Sequence, residues 1–201
     1  MTESPRRAQT RVALIEAAVK VIAARGVDAP VEEFSEAAGF TRGAFYSNFS
    51  SKTELCQAIL VHYAEKDLAA VQSAIPAALD LAGSMDEVTA RAIDNFLALW
   101  GADVDALLAL HLIRLSAAHD DDLRETVLQT DAAMAGAISP LIEGAFGDRG
   151  IATRLPIDEV VMVLRSVYLA SLLDAYLAQD LDFVLLRKRL GIVLRALLTT
   201  P

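Results

Sequence analysis

The chain has 201 residues, a mass of 21.5 kDa and a formal net charge of -9. Hydrophobic residues make up 54% of the sequence, which excludes an intrinsically disordered protein and predicts a sizeable core. A sequence pI of about 4.8 argues against a protein that covers nucleic acid or anionic membrane with its whole surface. Any contact with DNA must therefore come from a local patch.

Cysteine use and hydropathy indicate the compartment. The single cysteine, Cys56, cannot form an intramolecular disulfide. The first apolar stretch, residues 12–24, is interrupted by charges and does not resemble a secretion signal. The most apolar later segment, residues 160–173, carries Arg165 and is shorter than a membrane span. We therefore expect a cytoplasmic protein without a membrane partner.

Charge is unevenly distributed along the chain. Residues 1–52 contain seven basic and six acidic side chains, a net charge of +1, whereas residues 53–201 have a net charge of -10. Such an asymmetry indicates two parts with different roles. The change in charge divides the sequence into residues 1–52 and residues 53–201.

The first part of the chain has the apolar period and the end signals of short helices. Gly26 is typical of a residue that ends a first helix. Pro30 suits the first turn of a second helix, with Asp28 or Ala29 as its cap. Gly39 ends that second helix, and Thr41 can cap a third.

Longer helices follow in the rest of the sequence. Their starts are indicated by capping boxes, acidic first turns or a leading proline, at Ser51, Ser84, Asp103, Asp120, Pro156 and Asp180. No stretch alternates apolar and polar residues as a half-buried strand does. The sequence predicts an all-α protein of about nine helices.

Residues 31–52 have the pattern of a helix-turn-helix, two short helices joined by a glycine-containing turn. Ser35 is small where the helices cross, and Gly39 supplies the left-handed turn conformation. Apolar side chains would fill the angle between the helices: Phe34, Ala38, Phe40 and Phe45. The alternative is a plain helical hairpin with a solvated polar face.

The same region carries a family resemblance. The run AAGFTRGAFYSNFSSKTEL, residues 37–55, is similar to the signature of the tetracycline-repressor (TetR) family, and the similarity extends over residues 8–64. The resemblance implies a homodimeric transcriptional regulator, usually a repressor. It also implies a helix-turn-helix DNA-binding domain over residues 1–52 and a ligand-binding and dimerisation domain over residues 53–201. The sequence departs from the family at Ala29 and Pro30, where a hydroxyl residue is usual, and Glu32 and Glu33 would repel phosphate if they faced it.

The resemblance also implies the DNA-contacting residues. These are Thr41, Arg42, Gly43, Ala44, Tyr46, Ser47 and Asn48 on the exposed face of the second helix of the motif, with Lys52 just beyond it. Tyr46 and Lys52 correspond to phosphate contacts. The side chains of Arg42, Ser47 and Asn48 are suited to hydrogen bonds with base edges.

A second candidate site lies in the C-terminal part. Apolar residues with a few polar neighbours could line a cavity for an uncharged, hydrophobic effector: Phe96, Trp100, Leu108, His111, Met134 and Tyr168. The alternative for each of them is ordinary core. The net charge of this part disfavours anionic effectors at long range.

The end of the chain indicates an interface. Val160, Val163, Val167, Ala170, Leu173 and Leu177 face one way on a helix, and the helix after it is apolar on more than one face. A homodimer through these last two helices follows from this pattern.

No sequence pattern indicates catalysis, a cofactor or a metal. The three histidines are scattered without ligand spacing, and no phosphate loop, nucleophile elbow or dinucleotide fingerprint occurs. We therefore expect no enzyme. The alternative to a DNA-binding regulator is a helical interaction protein of the same fold without specific DNA binding.

Overall fold

The computed structural model describes residues 5–79, 84, 87, 90–91, 94, 103–148, 150–179 and 184–199. Four helices form the first part: α1 Pro5–Arg25, α2 Val31–Ala37, α3 Arg42–Asn48 and α4 Lys52–Leu79. Four more follow: α5 Val104–Ser116, α6 Asp121–Gly147, α7 Ile157–Leu177 and α8 Val184–Leu197. Residues 87, 90–91 and 94 are also helical, where the sequence predicts a further helix. The prediction of an all-α fold is confirmed.

A minimal strand pair adds to the helices. Ala152–Thr153 (β1) pairs antiparallel with Leu198–Thr199 (β2), with Ala152 opposite Thr199. The Arg154 amide extends the ladder by donating to the Leu197 carbonyl at 2.8 Å. Two-residue strands are too short to alternate, so the sequence contains no signal for them.

The described residues divide into two compact units. The first falls within Met1–Tyr63 and Asp103–Thr130, and the second within Ala64–Ala102 and Asp131–Pro201. The predicted boundary after residue 52 does not coincide with this division, because α5 packs against α1 and the first turns of α4 share their core.

The core of the first unit follows from helical period. Leu14, Ile15, Ala18, Val19 and Ile22 form the buried face of α1. Aromatic rings from the helix-turn-helix and its flank are the largest fully buried side chains around them: Phe34, Phe45 and Phe49. Burying one such side chain stabilises a fold by about 1.5–3 kcal/mol. The orientation of α2 and α3 is therefore fixed by packing rather than by local propensity.

Cys56 is part of this core. Its side chain is buried, and burial raises the pKa of the thiol to about 11. The thiolate is the nucleophilic form of cysteine, and the raised pKa disfavours it. Cys56 therefore behaves as a small apolar core residue.

Most predicted helix starts are found in the structure. The Asp103 carboxylate accepts from the Ala106 amide at 3.0 Å, and Asp120 caps α6 through the Leu123 amide at 3.0 Å. Ser84 and Glu87 form the predicted reciprocal capping box, with the Ser84 amide 2.7 Å from the Glu87 carboxylate. Asp180, the start predicted for the last helix, lies outside the described residues.

Two predicted starts differ in detail. Pro30 is itself the N-cap of α2, where Asp28 or Ala29 was expected, and no side chain caps this helix. At α4 the Ser51 hydroxyl accepts from the Glu54 amide at 3.1 Å, as predicted. The Glu54 carboxylate, however, accepts from the amide and hydroxyl of Ser50, both at 2.7 Å. The box therefore uses two consecutive serines.

In the second unit α7 packs against α8. The buried residues of these helices are Val160, Val161, Tyr168, Ser171, Leu172, Leu186 and Leu190. Of the residues that share one face by helical period, Ala170 and Leu177 are exposed, whereas Tyr168 and Leu172 on another side are buried. A helix that is apolar all round gives no periodic signal for which side turns inward.

One helix in the described part of the chain, α7, is long and apolar enough to cross a membrane, by length and composition alone. This helix has 21 residues and is longer than the apolar segment 160–173, which by itself is too short for a span. Arg165 in its middle forms an ion pair with Asp131 of α6 at 2.6 Å, and both side chains are largely shielded from solvent.

Candidate nucleic-acid interface

The turn between α2 and α3 sets the geometry of the candidate interface. Ser35 is buried, its hydroxyl donates to the Val31 carbonyl at 2.9 Å, and its own carbonyl accepts from the Phe40 amide at 2.8 Å. Gly39 has a φ of +72°, which side-chain-bearing residues rarely adopt. Both roles were predicted from the sequence, and both are confirmed.

The start of α3 is exposed and well ordered by hydrogen bonds. Thr41 is the N-cap, and its hydroxyl accepts from the Ala44 amide at 3.3 Å. Thr41, Arg42 and Gly43 are all exposed, whereas Ala44 is half-buried. A cap of this kind fixes the direction of the first turn, from which side chains of a recognition helix reach bases.

Further along α3, Tyr46 and Ser47 are on the exposed side. Tyr46 is 48% exposed, and its ring stands edge-on to the buried ring of Phe45 at 5.3 Å between centroids. The Ser47 hydroxyl donates to the Ala44 carbonyl at 2.8 Å and accepts from the Asn48 amide nitrogen at 3.2 Å. The helix thus presents a guanidinium, a phenol and a hydroxyl on one short exposed face.

Asn48 does not belong to that exposed face. It is only 6% exposed, and its amide nitrogen donates to the Ala44 carbonyl at 2.8 Å and to the Ser47 hydroxyl at 3.2 Å. The prediction that Asn48 lies on the exposed surface is therefore wrong. The last residue of α3 turns towards α1, where Arg11 donates to its carbonyl at 2.6 Å.

Lys52 is half-buried at the start of α4. Its ammonium donates to the carbonyls of Asp28 and Ala29, at 3.2 and 3.4 Å, and so ties α4 to the loop before α2. An ammonium has three N–H donors, so one remains for a phosphate oxygen. Lys52 therefore has a structural role in addition to its predicted phosphate contact.

Two arginines of α1 support α3 and were not identified as site residues from the sequence. Arg7 donates to the Ser47 carbonyl at 2.9 Å, beside the Arg11 bond to Asn48. The Arg11 guanidinium also lies 4.2 Å from the centre of the Phe49 ring. Cations at a helix C-terminus satisfy its last carbonyls and interact favourably with its dipole. The bonded residues are about 40 positions apart in the sequence, so no local sequence pattern predicts these contacts.

Glu32 and Glu33 of α2, which would repel phosphate if they faced it, are both paired. The Glu32 carboxylate lies 2.7 Å from the Arg42 guanidinium, and Glu33 lies 3.5 Å from that of Arg25. Hydrogen bonding with Tyr46 and the charge of Glu32 raise the pKa of Arg42 above its ordinary value. The start of α2 therefore presents ion pairs, in which the acidic charge is partly cancelled.

The residues of the predicted effector cavity are not described as one site. Phe96 and Trp100 lie outside the described residues. Leu108 and His111 are half-buried on α5 in the first unit, and His111 Nδ1 lies 2.8 Å from the Leu107 carbonyl. Met134, half-buried on α6, and Tyr168, buried on α7, belong to the second unit. Burial, and then the charge of Asp67, raise the pKa of Tyr168 well above its usual range.

The interface region matches known proteins. Residues 14–59 match the model of the tetR family of bacterial regulatory proteins. Two Pseudomonas putida proteins are each 45% identical to this chain over 53 residues: the uncharacterized HTH-type transcriptional regulator TtgW and the HTH-type transcriptional regulator SrpR. The matched stretch is 26% of this chain, and it covers 40% of TtgW and 25% of SrpR.

The likeness of fold extends further than the likeness of sequence. The structure of the fatty acid degradation regulator FadR from Bacillus halodurans superposes with a TM-score of 0.76, over 96% of each chain and at 17% identity. A TetR transcription regulator from Haloarcula marismortui matches with a TM-score of 0.72, over 96% of this chain and 100% of its own, at 15% identity. At such identities the likeness shows the fold alone.

Proposed function

This chain carries the N-terminal domain of the tetR family of bacterial regulatory proteins over residues 14–59, and from that premise we propose that it is a ligand-responsive transcriptional regulator. It binds an inverted-repeat operator as a homodimer, acts as a repressor and is released by a small hydrophobic effector. The observation that carries the proposal is the exposed face of α3, defined by Thr41, Arg42, Gly43, Tyr46 and Ser47.

The exposed face of α3 supports DNA recognition by its chemistry. Arg42 can donate two parallel hydrogen bonds to a guanine edge, and Ser47 can donate to or accept from either base of a pair. Tyr46 offers a hydroxyl to a phosphate oxygen, as does the remaining donor of Lys52. Gly43 adds no side chain beside these groups, so the backbone at the start of α3 can approach DNA closely.

A homodimer through α7 and α8 is supported by their exposed apolar side chains. Leu177 is 71% exposed and Ile192 is 50% exposed within the single chain. Met162 of α7 and Leu185 of α8 are exposed as well. Exposed apolar patches of this kind mark protein–protein contacts in soluble proteins. A twofold dimer places two copies of α3 on equivalent grooves, which is why the operator should be an inverted repeat.

Release by an effector requires a route from the second unit to α3. The helix α4 supplies one, since it begins four residues after α3 and continues from the first unit into the second. An effector that prefers the arrangement unable to bind DNA lowers operator affinity by its differential affinity for the two states. Tyr168 and Met134 line the proposed effector site in the second unit, with Phe96 and Trp100 predicted from the sequence.

A gel shift with DNA flanking the gene of this protein tests the proposal. The wild-type chain should retard this DNA in the presence of excess unrelated DNA, and a variant with Arg42→Ala and Tyr46→Ala should not. A matched control replaces Leu115 of α5, an exposed residue outside the helix-turn-helix, by Ala. Equal, weak retardation of all duplexes by all three proteins would instead support the helical interaction protein without specific DNA binding.

The effector is tested through the only tryptophan of the chain, Trp100. Hydrophobic small molecules are screened for release of DNA and for a change in Trp100 emission. We expect both effects from the same compound, with a weaker DNA release in Trp100→Ala. A compound that releases DNA but leaves the emission and the Trp100→Ala dose response unchanged would place the effector site elsewhere.

A further inference from the structure

The ion pair between Glu32 and Arg42 joins the starts of the two helices of the helix-turn-helix. Arg42 is the first residue of α3, Glu32 lies in the first turn of α2, and their charged atoms are 2.7 Å apart. The Arg42 guanidinium carbon also lies 5.5 Å from the centre of the Tyr46 ring, on the next turn of α3. Arg42 therefore has a partner on each of two helices.

The backbone beneath this ion pair is held firmly. Thr41 caps α3 directly before Arg42, and Gly39 closes the turn with a hydrogen bond of 2.9 Å to the Glu36 carbonyl. Phe34 and Phe45 are fully buried one turn below on each helix. Because both helices are fixed, the backbone of Glu32 lies at a defined position relative to the backbone of Arg42, within reach of the ion pair.

The geometry of the Arg42 guanidinium determines how the ion pair with Glu32 affects DNA binding. Arginine has five N–H donors in a rigid fork, and the pair with Glu32 uses one terminal nitrogen, Nη1. Tyr46 also hydrogen-bonds with Arg42, and the donors that remain can bind a base edge that presents two acceptors, as guanine does. Attraction to phosphate depends chiefly on net charge, which the carboxylate cancels.

We propose that Glu32 is a specificity-determining residue, which holds Arg42 for a base edge with paired acceptors and weakens its attraction to phosphate. This inference rests on the proposed function, because it presumes that α3 enters a DNA groove. Glu32 does not itself contact DNA. It is a positioning residue that acts through Arg42.

The test compares Glu32→Gln with the wild-type chain on two duplexes. One duplex is recovered by repeated selection from a random library with the wild-type protein, and the other is a scrambled version of it. Glu32→Gln should bind the scrambled duplex about two- to fivefold more tightly, the range expected for losing one exposed ion pair. Its affinity for that duplex should also fall more steeply with salt, by about one further released counterion per site. The ratio of the two affinities should fall.

Glu36→Gln is the matched control. Glu36 lies one turn beyond Glu32 on α2, is exposed, and loses the same charge in this variant without a change to the Arg42 pair. It should raise the affinity for both duplexes equally. A second control adds Glu32→Gln to Arg42→Ala, where it should leave the affinity ratio unchanged, because the residue through which Glu32 acts is gone.

The outcomes separate this inference from the proposed function. If the wild-type protein enriches a sequence, but Glu32→Gln keeps the wild-type ratio or shifts it no more than Glu36→Gln does, Glu32 has no role in specificity. The same conclusion follows if Glu32→Gln lowers the ratio equally with and without Arg42. If the wild-type protein enriches no sequence at all, the proposed function fails and this inference fails with it.

Discussion

Arg42 and Lys52 differ in what they offer to DNA, although both are cations at the ends of the same short segment. Arg42 extends from an exposed first turn, whereas two of the three Lys52 donors bind loop carbonyls. Arg42→Ala should lower the preference for the selected duplex over its scrambled form by about tenfold, within the range of one bidentate arginine–base contact. Lys52→Ala should weaken binding to both duplexes alike.

The measurement is the dissociation constant of each variant for each duplex, from fluorescence anisotropy at several salt concentrations. The Lys52 variant should also show a shallower salt dependence, by about one counterion per site. Equal losses on the two duplexes for both variants would refute this division of roles between base reading and phosphate binding.

Glu54 links pH to stability at the start of α4. The amide and hydroxyl of Ser50 donate to its carboxylate and lower its pKa, with a smaller contribution from Arg11. A carboxylate whose pKa is lower in the folded state stabilises the fold above its unfolded-state pKa of about 4.3, and this contribution is lost as pH falls through the folded-state value. Glu54→Gln should therefore lower the free energy of unfolding near pH 7 by about 0.5–1 kcal/mol, the usual cost of a lost cap.

Urea unfolding of both proteins between pH 7 and pH 3 checks this prediction. The difference between wild type and Glu54→Gln should be constant above about pH 5 and shrink below pH 4. A difference that is independent of pH, or one that grows towards low pH, would show that the charged carboxylate does not cap α4.

Cys56 should be unreactive in the folded protein. With a pKa of about 11, about one thiol in a thousand is ionised at pH 8, and the side chain is buried as well. An aromatic disulfide reagent should label it within the dead time in denaturant and only at the rate of unfolding in buffer. Fast labelling under native conditions would place Cys56 outside the core.

Residue-scale predictions from sequence succeeded where one local rule decides the conformation. The positive φ of Gly39, the small side chain of Ser35 and the cap at Thr41 are all local requirements. Asn48 was misplaced because its side-chain amide donates within α3, to the Ala44 carbonyl and the Ser47 hydroxyl, and its backbone carbonyl accepts from Arg11 of a distant helix. Polar type alone does not tell a base-reading amide from one that satisfies its own helix.

At the scale of elements, the exposed apolar side chains of α7 and α8 are the most direct sign of assembly. Leu177→Glu and Ile192→Glu should each shift the chain from dimer to monomer, because a buried unpaired carboxylate costs several kcal/mol at an interface. Both variants should also bind the selected duplex much more weakly than wild type. Light scattering at several protein concentrations measures the mass.

Leu115→Glu is the control for the interface variants. Leu115 is 72% exposed on α5, so the substitution adds the same charge to an equally exposed leucine outside the last two helices. It should leave the dimer mass unchanged. Retained dimer mass in both Leu177→Glu and Ile192→Glu would move the interface away from α7 and α8.

The helix ends were more predictable than the helix faces. Aspartates and serines cap their own helices at Asp103, Asp120 and Ser84, since these hydrogen bonds form within one turn. The buried side of α7 was not predictable, because apolar residues occur on more than one side of this helix. Which stripe is buried depends on α8 and not on α7 itself.

At the scale of the whole molecule, the first compact unit is built from two segments that are far apart in sequence. Residues 103–130 join the N-terminal residues in one compact unit, although they are separated from them by about 40 residues of chain. The tie is made by contacts such as Thr53 with Asp120 at 3.1 Å and Gln57 with Thr126 at 3.0 Å. A change in charge along the sequence cannot reveal packing between segments so far apart.

We propose that two copies of this chain bind DNA through α3. The most direct test is the symmetry of the DNA sequence that the protein selects. Wild-type protein is used to enrich binding duplexes from a fully random library, and the enriched pool is sequenced. We expect an inverted repeat whose half-site centres are about 10 bp apart or a multiple of that spacing, and no enrichment by the variant with Arg42→Ala and Tyr46→Ala. A pool without any common sequence, or one with a single asymmetric site, would contradict it.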